Sequence, residues 1–311
     1  MQYADYSVWQ QEWMRGPELK AEQDWWREVL ADVPVLRLPT DRPRPPVQTY
    51  PGARLPVSVP RKLAEALAAV GRREGATPFM VLMAAWQSLM HAYSGQEDFA
   101  VGTPVAGRNR PEVEPLIGCF INSIALRADL SGDPTFRELL GRVRRSALGG
   151  FAHQEVPFEK LVDALHVARD LSHTPIFQTM LVLHNTPAPE LSLAGVLIRS
   201  RLVHTGATKL DLTLDLVETR EGLTGGIEYN TDLFDADTIS RLSGHLLRLL
   251  EEVATAPERR LSQLSLLSDA EQRRLLVEWN PPLLSGLSGA DTVPARFAAQ
   301  AARDAGSGGG G

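Results

Sequence analysis

Hydrophobic positions along the chain repeat with two periods. After Asp235, the residues Ile239, Leu242, Leu246, Leu249 and Val253 recur at spacings of three and four, the stripe of an amphipathic helix. Leu210, Leu212, Leu214 and Leu216 alternate with other residues, which puts them on one face of a strand running through Val217. Ser123–Leu130 alternates in the same way. Ile176–His184 is more continuously apolar, as a central strand buried on both faces is. Leu223–Tyr229 and Val196–Val203 complete the expected strands. Helices are expected at Phe79–Tyr93 after Thr77-Pro78, at Phe136–Phe151 after Asp133-Pro134, and at Phe158–Leu165 after Pro157, because a capping side chain or first-turn proline precedes each. Residues 5–30 read as helix, with Trp9 and Trp13 four apart on a packing face. Eight prolines between Pro34 and Pro60 exclude a helix there and predict an extended crossing segment. Interleaved helices and strands predict an α/β fold, helices packed on a mixed sheet.

Beyond residue 266 the pattern weakens. Leu267–Trp279 predicts a short charged helix, Pro281–Thr292 a linker, and Val293–Arg303 a small alanine-rich helix. Gly306-Ser307 and Gly308–Gly311 have the composition of a flexible tract. The length of 311 residues fits roughly two domains or lobes. Lys and Arg total 32 against 38 Asp and Glu, and the net charge of −6 excludes a generic electrostatic nucleic-acid binder. A single cysteine, Cys119, excludes an internal disulfide and a multi-cysteine zinc site. No run approaches the roughly 20 apolar residues of a membrane span. The first residues carry Asp5, Glu12 and aromatic side chains where a signal peptide carries basic and then apolar ones. A cytoplasmic protein without membrane or nucleic-acid partners is expected.

Standard catalytic signatures are missing. There is no Gly-x-Ser-x-Gly elbow, phosphate-binding loop or dinucleotide fingerprint, and none of the seven histidines falls into a His-Glu-x-x-His pattern. No catalytic residue and no metal ligand is assigned. Two segments stand out. Val101–Arg110 reads as a strand end running into a mobile, turn-rich loop containing Gly102, Thr103, Pro104, Gly107 and Arg108. In Ile117–Ser123 the polar pair Asn122-Ser123 ends an apolar run. An asparagine there needs partners, and it either caps a turn or lines a polar channel.

Four segments, taken in order, resemble the condensation domain of nonribosomal peptide synthetases. Tyr3-Ala4-Asp5-Tyr6-Ser7-Val8-Trp9 is similar to the family's Tyr-x-Asp-Tyr-Ala-x-Trp signature. Ile117-Gly118-Cys119-Phe120-Ile121-Asn122-Ser123 resembles Ile-Gly-x-Phe-Val-Asn-Thr. His153-Gln154-Glu155-Val156-Pro157-Phe158-Glu159 resembles His-Gln-Asp-Val-Pro-Phe-Glu. Arg169-Asp170-Leu171-Ser172-His173-Thr174-Pro175-Ile176-Phe177-Gln178 resembles Arg-Asp-x-Ser-x-x-Pro-Leu-Phe-Gln. The similarity continues through Lys209–Thr213, which includes Asp211, and Tyr229–Phe234.

The resemblance implies a single chloramphenicol-acetyltransferase-like lobe, the C-terminal half of a two-lobed domain with a tunnel between the lobes. The family's His-His-x-x-x-Asp-Gly motif belongs to the other lobe and has no counterpart in this sequence. The chain alone is therefore expected to be inactive. The implied organisation is an interlobe helix and crossing segment (1–60), the lobe (61–266), a linker (267–292), the truncated start of an adenylation domain (293–305) and a Gly-rich tail (306–311). Implied partners are donor and acceptor carrier proteins, the N-terminal lobe and an adenylation domain. No cofactor is expected to bind directly, since phosphopantetheine arms arrive on the carriers. Asn122 and Ser123 are the tunnel-lining candidates, Gly102–Arg110 resembles the floor loop, and a latch is placed between Asp211 and Tyr229. Asp5, Trp9, His153, Pro157, Arg169, Asp170, Ser172, Pro175 and Asp211 are expected to be structural. Other readings that the residues leave open are a non-catalytic docking or lobe-complementing module and half of an epimerisation or cyclisation domain.

Overall fold

The computed structural model describes residues 1–165, 170–184, 203–280 and 292–306, with the side chains of 299 and 302–306 outside that description. Residues 1–266 and 267–311 form separate compact units.

Among the described residues of the first unit, six strands make one mixed sheet: β1 (Gly52–Pro60), β2 (Asp98–Val105), β3 (Asn122–Asp129), β4 (Thr179–His184), β5 (Leu212–Thr219) and β6 (Gly222–Asn230). The order is β1-β6-β5-β4-β2-β3. β4 is parallel to β2 and β5, and the remaining pairs are antiparallel. The continuously apolar strand is thus an interior one, as its sequence predicts. Leu212, Leu214 and Leu216 are fully buried, while Thr213, Asp215 and Val217 on the other face are only partly covered. Helices α3 (Arg61–Arg73), α4 (Pro78–Ser94), α5 (Phe136–Ala152) and α7 (Ala236–Thr255) pack on one another and on the sheet. The expected class, helices on a mixed sheet, is the one observed. In α4 every residue from Met80 to Met90 is buried, which its nearly unbroken apolar sequence allows.

Several expectations are corrected. Residues 5–30 form two helices, α1 (Tyr3–Trp13) and α2 (Pro17–Val29), because Gly16-Pro17 ends one and opens the next. The proline-rich segment ends in β1, where Pro56 and Pro60 lie an even number of residues apart on an edge strand and withhold no N–H from β6. α5 is capped by Thr135 rather than Asp133. Thr135 Oγ1 accepts from Glu138 N at 3.2 Å, and Glu138 Oε2 accepts from Thr135 N at 2.8 Å. Asp133 instead turns the chain at φ +48° and accepts from Ser262 N and Oγ. The segment assigned to a latch contains the β5–β6 hairpin, which is paired to β4 on one side and β1 on the other. Val196–Val203 lies, but for its last residue, outside the described residues.

In the second unit, α8 (Asp269–Arg273) is capped by Ser268 and runs into a wider π-type turn over Arg274–Glu278. α9 spans Val293–Gly306. Of the expected linker, 281–291 lies outside the described residues, as does 307–311 of the tail.

Candidate functional site

Three of the recognised segments meet at the β2–β3 corner. β2 pairs with β3 without a break from Asp98↔Asp129 to Val105↔Asn122. Gly102, Thr103 and Pro104 are therefore strand residues, and the loop expected from Gly102 begins only after Val105. The unbroken ladder puts Pro104, opposite Ser123, at a pair that exchanges no backbone hydrogen bonds, so its missing N–H costs β3 nothing. Gly102, two residues away, shares that sheet face. A Cβ at Gly102 would lie 2.4–2.7 Å from the Phe177 ring, which fills the space a side chain would need.

The backbone delivering Phe177 is strained. Ile176 sits at φ +69°, and Phe177 N donates to Pro175 O at 2.8 Å, closing the rare form of γ-turn around a β-branched residue. Thr174 Oγ1 donates to Phe177 O at 2.9 Å, and Gln178 Nε2 to Thr174 O at 2.9 Å. Gln178 Oε1 accepts from Leu36 N at 2.7 Å, which ties the turn to the crossing segment. The Phe158 ring completes the cluster with its centroid 5.1 Å from that of Phe177.

Asn122 holds this arrangement together. Its Nδ2 donates to Gln154 O at 3.0 Å and Val156 O at 2.7 Å, and its Oδ1 accepts from Phe158 N at 3.1 Å. Both amide donors are used, so the ground for expecting Asn122 in a polar channel is gone: it clamps the turn before α6 (Phe158–Ala164), whose N-cap is Pro157. Ser123 differs. It is partly exposed, and its hydroxyl makes no hydrogen bond among the described residues. A cleft of about 1150 Å³ lies elsewhere, between the crossing segment and Leu171–Ile176, and Asn122 does not line it.

The other family-motif residues have structural partners. Asp5 accepts from Gln2 N at 2.7 Å at the start of α1. Trp9 carries the Arg110 guanidinium 4.0 Å above its ring and lies 6.4 Å from Trp13. Burial first, and then the Glu155 carboxylate, push the neighbouring Tyr6 phenol up. His153 ends α5, stacks on Trp25 at 4.1 Å and meets Glu22 through Nδ1 at 2.9 Å, while its carbonyl accepts from Trp26 Nε1 at 2.9 Å. Ser172 N donates to Asp170 at 2.8 Å, and hydrogen bonds from Ser172 hold the Asp170 carboxyl below its ordinary value. Asp170 also meets His173 at 3.2 Å. Asp211, with its side chain 3% exposed, is bound bidentately by Arg44, which also donates to Ser172 O. Sequence reasoning passes over Arg44, one of two arginines in the proline-rich run Arg42-Pro43-Arg44-Pro45-Pro46. Arg169 lies outside the described residues.

The loop after β2 is folded around Arg108. One guanidinium nitrogen of Arg108 donates to the carbonyls of Val113, Glu114 and Leu116 at 2.6, 2.9 and 2.9 Å, and the group lies 4.4 Å over the Phe120 ring. Gly107, at φ +63°, allows the Phe120 carbonyl to approach where a Cβ would stand 1.9 Å away. Ile117 and Ile121 remain 96% and 70% exposed at the loop tip, beside α1 with its exposed Val8. Among the described residues no group of three or more His, Cys, Asp or Glu can hold a metal ion, and no helix is long and apolar enough to cross a membrane.

The condensation-domain family model matches residues 1–276. One of the linear gramicidin synthase proteins of Brevibacillus parabrevis is 47% identical over 283 residues, which cover 90% of this chain. Malpinin synthetase of Mortierella alpina is 42% identical over 279 residues, or 89% of this chain. The chain spans 6% and 4% of the length of these relatives. Among solved structures, the X-domain from teicoplanin biosynthesis superposes with a TM-score of 0.77 at 32% identity, covering 86% of this chain and 62% of that one. The first condensation domain of the calcium-dependent antibiotic synthetase, at 20% identity and a TM-score of 0.67, shares the fold over 84% of this chain and 56% of its own.

Proposed function

Because this chain belongs to the condensation-domain family, we propose that it supplies the C-terminal lobe of an amide-forming synthetase domain in the cytoplasm. Donor and acceptor carrier proteins present their substrates on phosphopantetheine arms. The acceptor amine attacks the donor thioester carbonyl, a C–N bond forms, the C–S bond breaks, and the amine proton leaves with the thiol. In this reading the lobe acts by holding the two arms in line, so that proximity supplies much of the rate. The N-terminal lobe brings the His-His-x-x-x-Asp-Gly histidine. Residues 267–292 link to an adenylation domain whose first residues are 293–305.

The observation carrying the reading is the convergence at the β2–β3 corner. Asn122 clamps the Val156–Phe158 turn, Phe158 meets Phe177, and Phe177 covers Gly102. Ser123 is assigned to the tunnel, and exposed Ile117, Ile121 and Val8 to the seat of the other lobe. The test supplies loaded donor and acceptor carriers to the chain alone and to the chain with a separately produced N-terminal lobe, and measures the amide-linked thioester by mass spectrometry. Product is expected only from the pair. Product from the chain alone, or none from a verified two-lobe complex, overturns the reading.

A further inference from the structure

We propose that a cavity of about 300 Å³ between α2, β3 and α5, reaching Gln87 of α4, receives the C-terminal residue of a peptide with an apolar side chain there. Gln87 marks the site. It lies in the middle of α4, is 0% exposed and lines the cavity, yet neither its Nε2 nor its Oε1 has a hydrogen-bond partner among the described residues. Buried amides are nearly always paired, because an unpaired one gives up its bonds to water and gains none in return. Gln178, also buried, follows that rule: its Oε1 accepts from Leu36 N and its Nε2 donates to Thr174 O. Gln87 therefore offers one donor group and one acceptor to whatever enters.

Most other polar groups around the cavity are committed. The Arg127 guanidinium binds Asp98 and the carbonyls of Val29 and Ala31. The Asp129 carboxylate is taken by Ser131 and Arg142. The outer edge of β3 is closed to an added strand here, since Ser146 Oγ donates to Arg127 O at 3.3 Å and Arg142 to Asp129 O at 3.0 Å. Arg145 differs. It is exposed, lines the cavity and makes no hydrogen bond or ion pair among the described residues. Trp25, Val29 and Val143 supply apolar wall. What remains uncommitted is one cation and one carboxamide beside that wall.

Charge balance calls for a monoanion, and Gln87 Oε1 calls for a donor close to the anionic group. The last residue of a peptide has this form. Its N–H and its carboxylate flank one carbon, and in an extended conformation they share an edge that meets both ends of a carboxamide. The carboxylate also pairs with Arg145, and the side chain rests on the apolar wall. A free amino acid fits less well, because its ammonium brings a second charge with no counter-ion. An inorganic anion leaves the wall unused.

Binding needs neither a second lobe nor carrier proteins, so its outcome and that of amide formation are read separately. The test is isothermal titration calorimetry of the full chain with acetyl-Gly-Gly-Leu. A Kd on the order of 1 mM is expected for one anchored residue. The same peptide ending in a carboxamide, or N-methylated at leucine, is expected to bind about tenfold more weakly, as is free leucine. Gln87→Met keeps the side chain's length and removes the amide. It is expected to weaken binding about tenfold without lowering the Tm, because no satisfied hydrogen bond is lost. If Gln87→Met does not fold, Arg145→Gln, at an exposed position, is expected to show a similar loss. Equal binding of the acid and the carboxamide, leucine binding as tightly as the peptide, unchanged affinity in the variants, or no saturable heat up to roughly 20 mM peptide overturns the proposal.

Discussion

Gly102→Ala tests the packing at the β2–β3 corner directly. The added methyl would meet Phe177 Cε2, Cδ2 and Cζ at 2.4, 2.6 and 2.7 Å, well inside contact distance. The ring has no retreat: Phe158 stands 5.1 Å away on one side, and the γ-turn at Ile176 pins the backbone behind it. Overpacking of this kind costs about 1–3 kcal/mol. Against it, replacing glycine stiffens the unfolded chain and returns about 0.4–1 kcal/mol. The balance is a net loss of about 1.3 kcal/mol, or a fall in Tm of roughly 3–5 °C for a unit of this size. Thermal unfolding followed by circular dichroism reads it. The decisive comparison is a double-mutant cycle with Phe177→Leu, in which the clash is relieved and Gly102→Ala becomes close to neutral, a coupling of about 1 kcal/mol or more. Equal losses in both backgrounds would refute the claim that the glycine exists to admit the ring.

Arg44→Ala leaves the Asp211 carboxylate, 3% exposed, without its cation. The expected loss is about 3–5 kcal/mol in guanidinium unfolding, and a loss below about 1 kcal/mol would sink the assignment of the pair as a structural tie. Arg108→Ala should speed amide exchange across residues 106–121, which Arg108 organises, while the Tm holds within about 2 °C because the loop lies outside the main core; a global loss of protection would contradict this. The backbone N–H of Thr135 first, and its hydroxyl second, hold the Glu138 carboxyl below its ordinary value of 4.5. A depressed folded value means stabilisation that is present above the unfolded value and lost as pH falls through the folded one. Glu138→Gln should therefore flatten the acid limb of the urea midpoint between about pH 6 and pH 3, and an unchanged limb would count against the capping box as its source.

The elements that sequence reasoning locates well are those whose signals are local. Thr77-Pro78 starts α4, the Leu210–Leu216 alternation runs into β5, and the three-and-four stripe becomes α7. The misses have two causes. Some signals are local but outweighed: Gly16-Pro17 divides α1 from α2, and proline density hides β1, where an edge strand tolerates prolines of one parity. Helix α3, directly after Pro60, has no such signal in front of it. The others depend on tertiary distance. Nothing in Ile121-Asn122-Ser123 says that one amide will find carbonyls at Gln154 and Val156 while its neighbour's hydroxyl stays unbonded. Strand alternation places Phe120 and Asn122 on one face, but β3 begins only at Asn122, so the parity rule has no strand to act on. Arg44 reaching Asp211 is a pairing across 167 positions that no local pattern announces.

The sheet's connectivity has a consequence for the protein during its own synthesis. Among the described residues β1 finds its one strand partner, β6, near the far end of the unit, with Gly52 opposite Asn230 and Pro60 opposite Gly222. At about 5–20 residues per second, β1 emerges from the ribosome roughly 10–35 s before the strand it must pair with. Through that interval its bonding edges and its apolar residues Val57 and Val59 are available to neighbouring nascent chains. Pro51, Pro56 and Pro60 deny such chains a regular row of donors, as prolines on exposed edges do. The residues that disguise β1 as a strand are also the ones that keep it unpaired until β6 arrives.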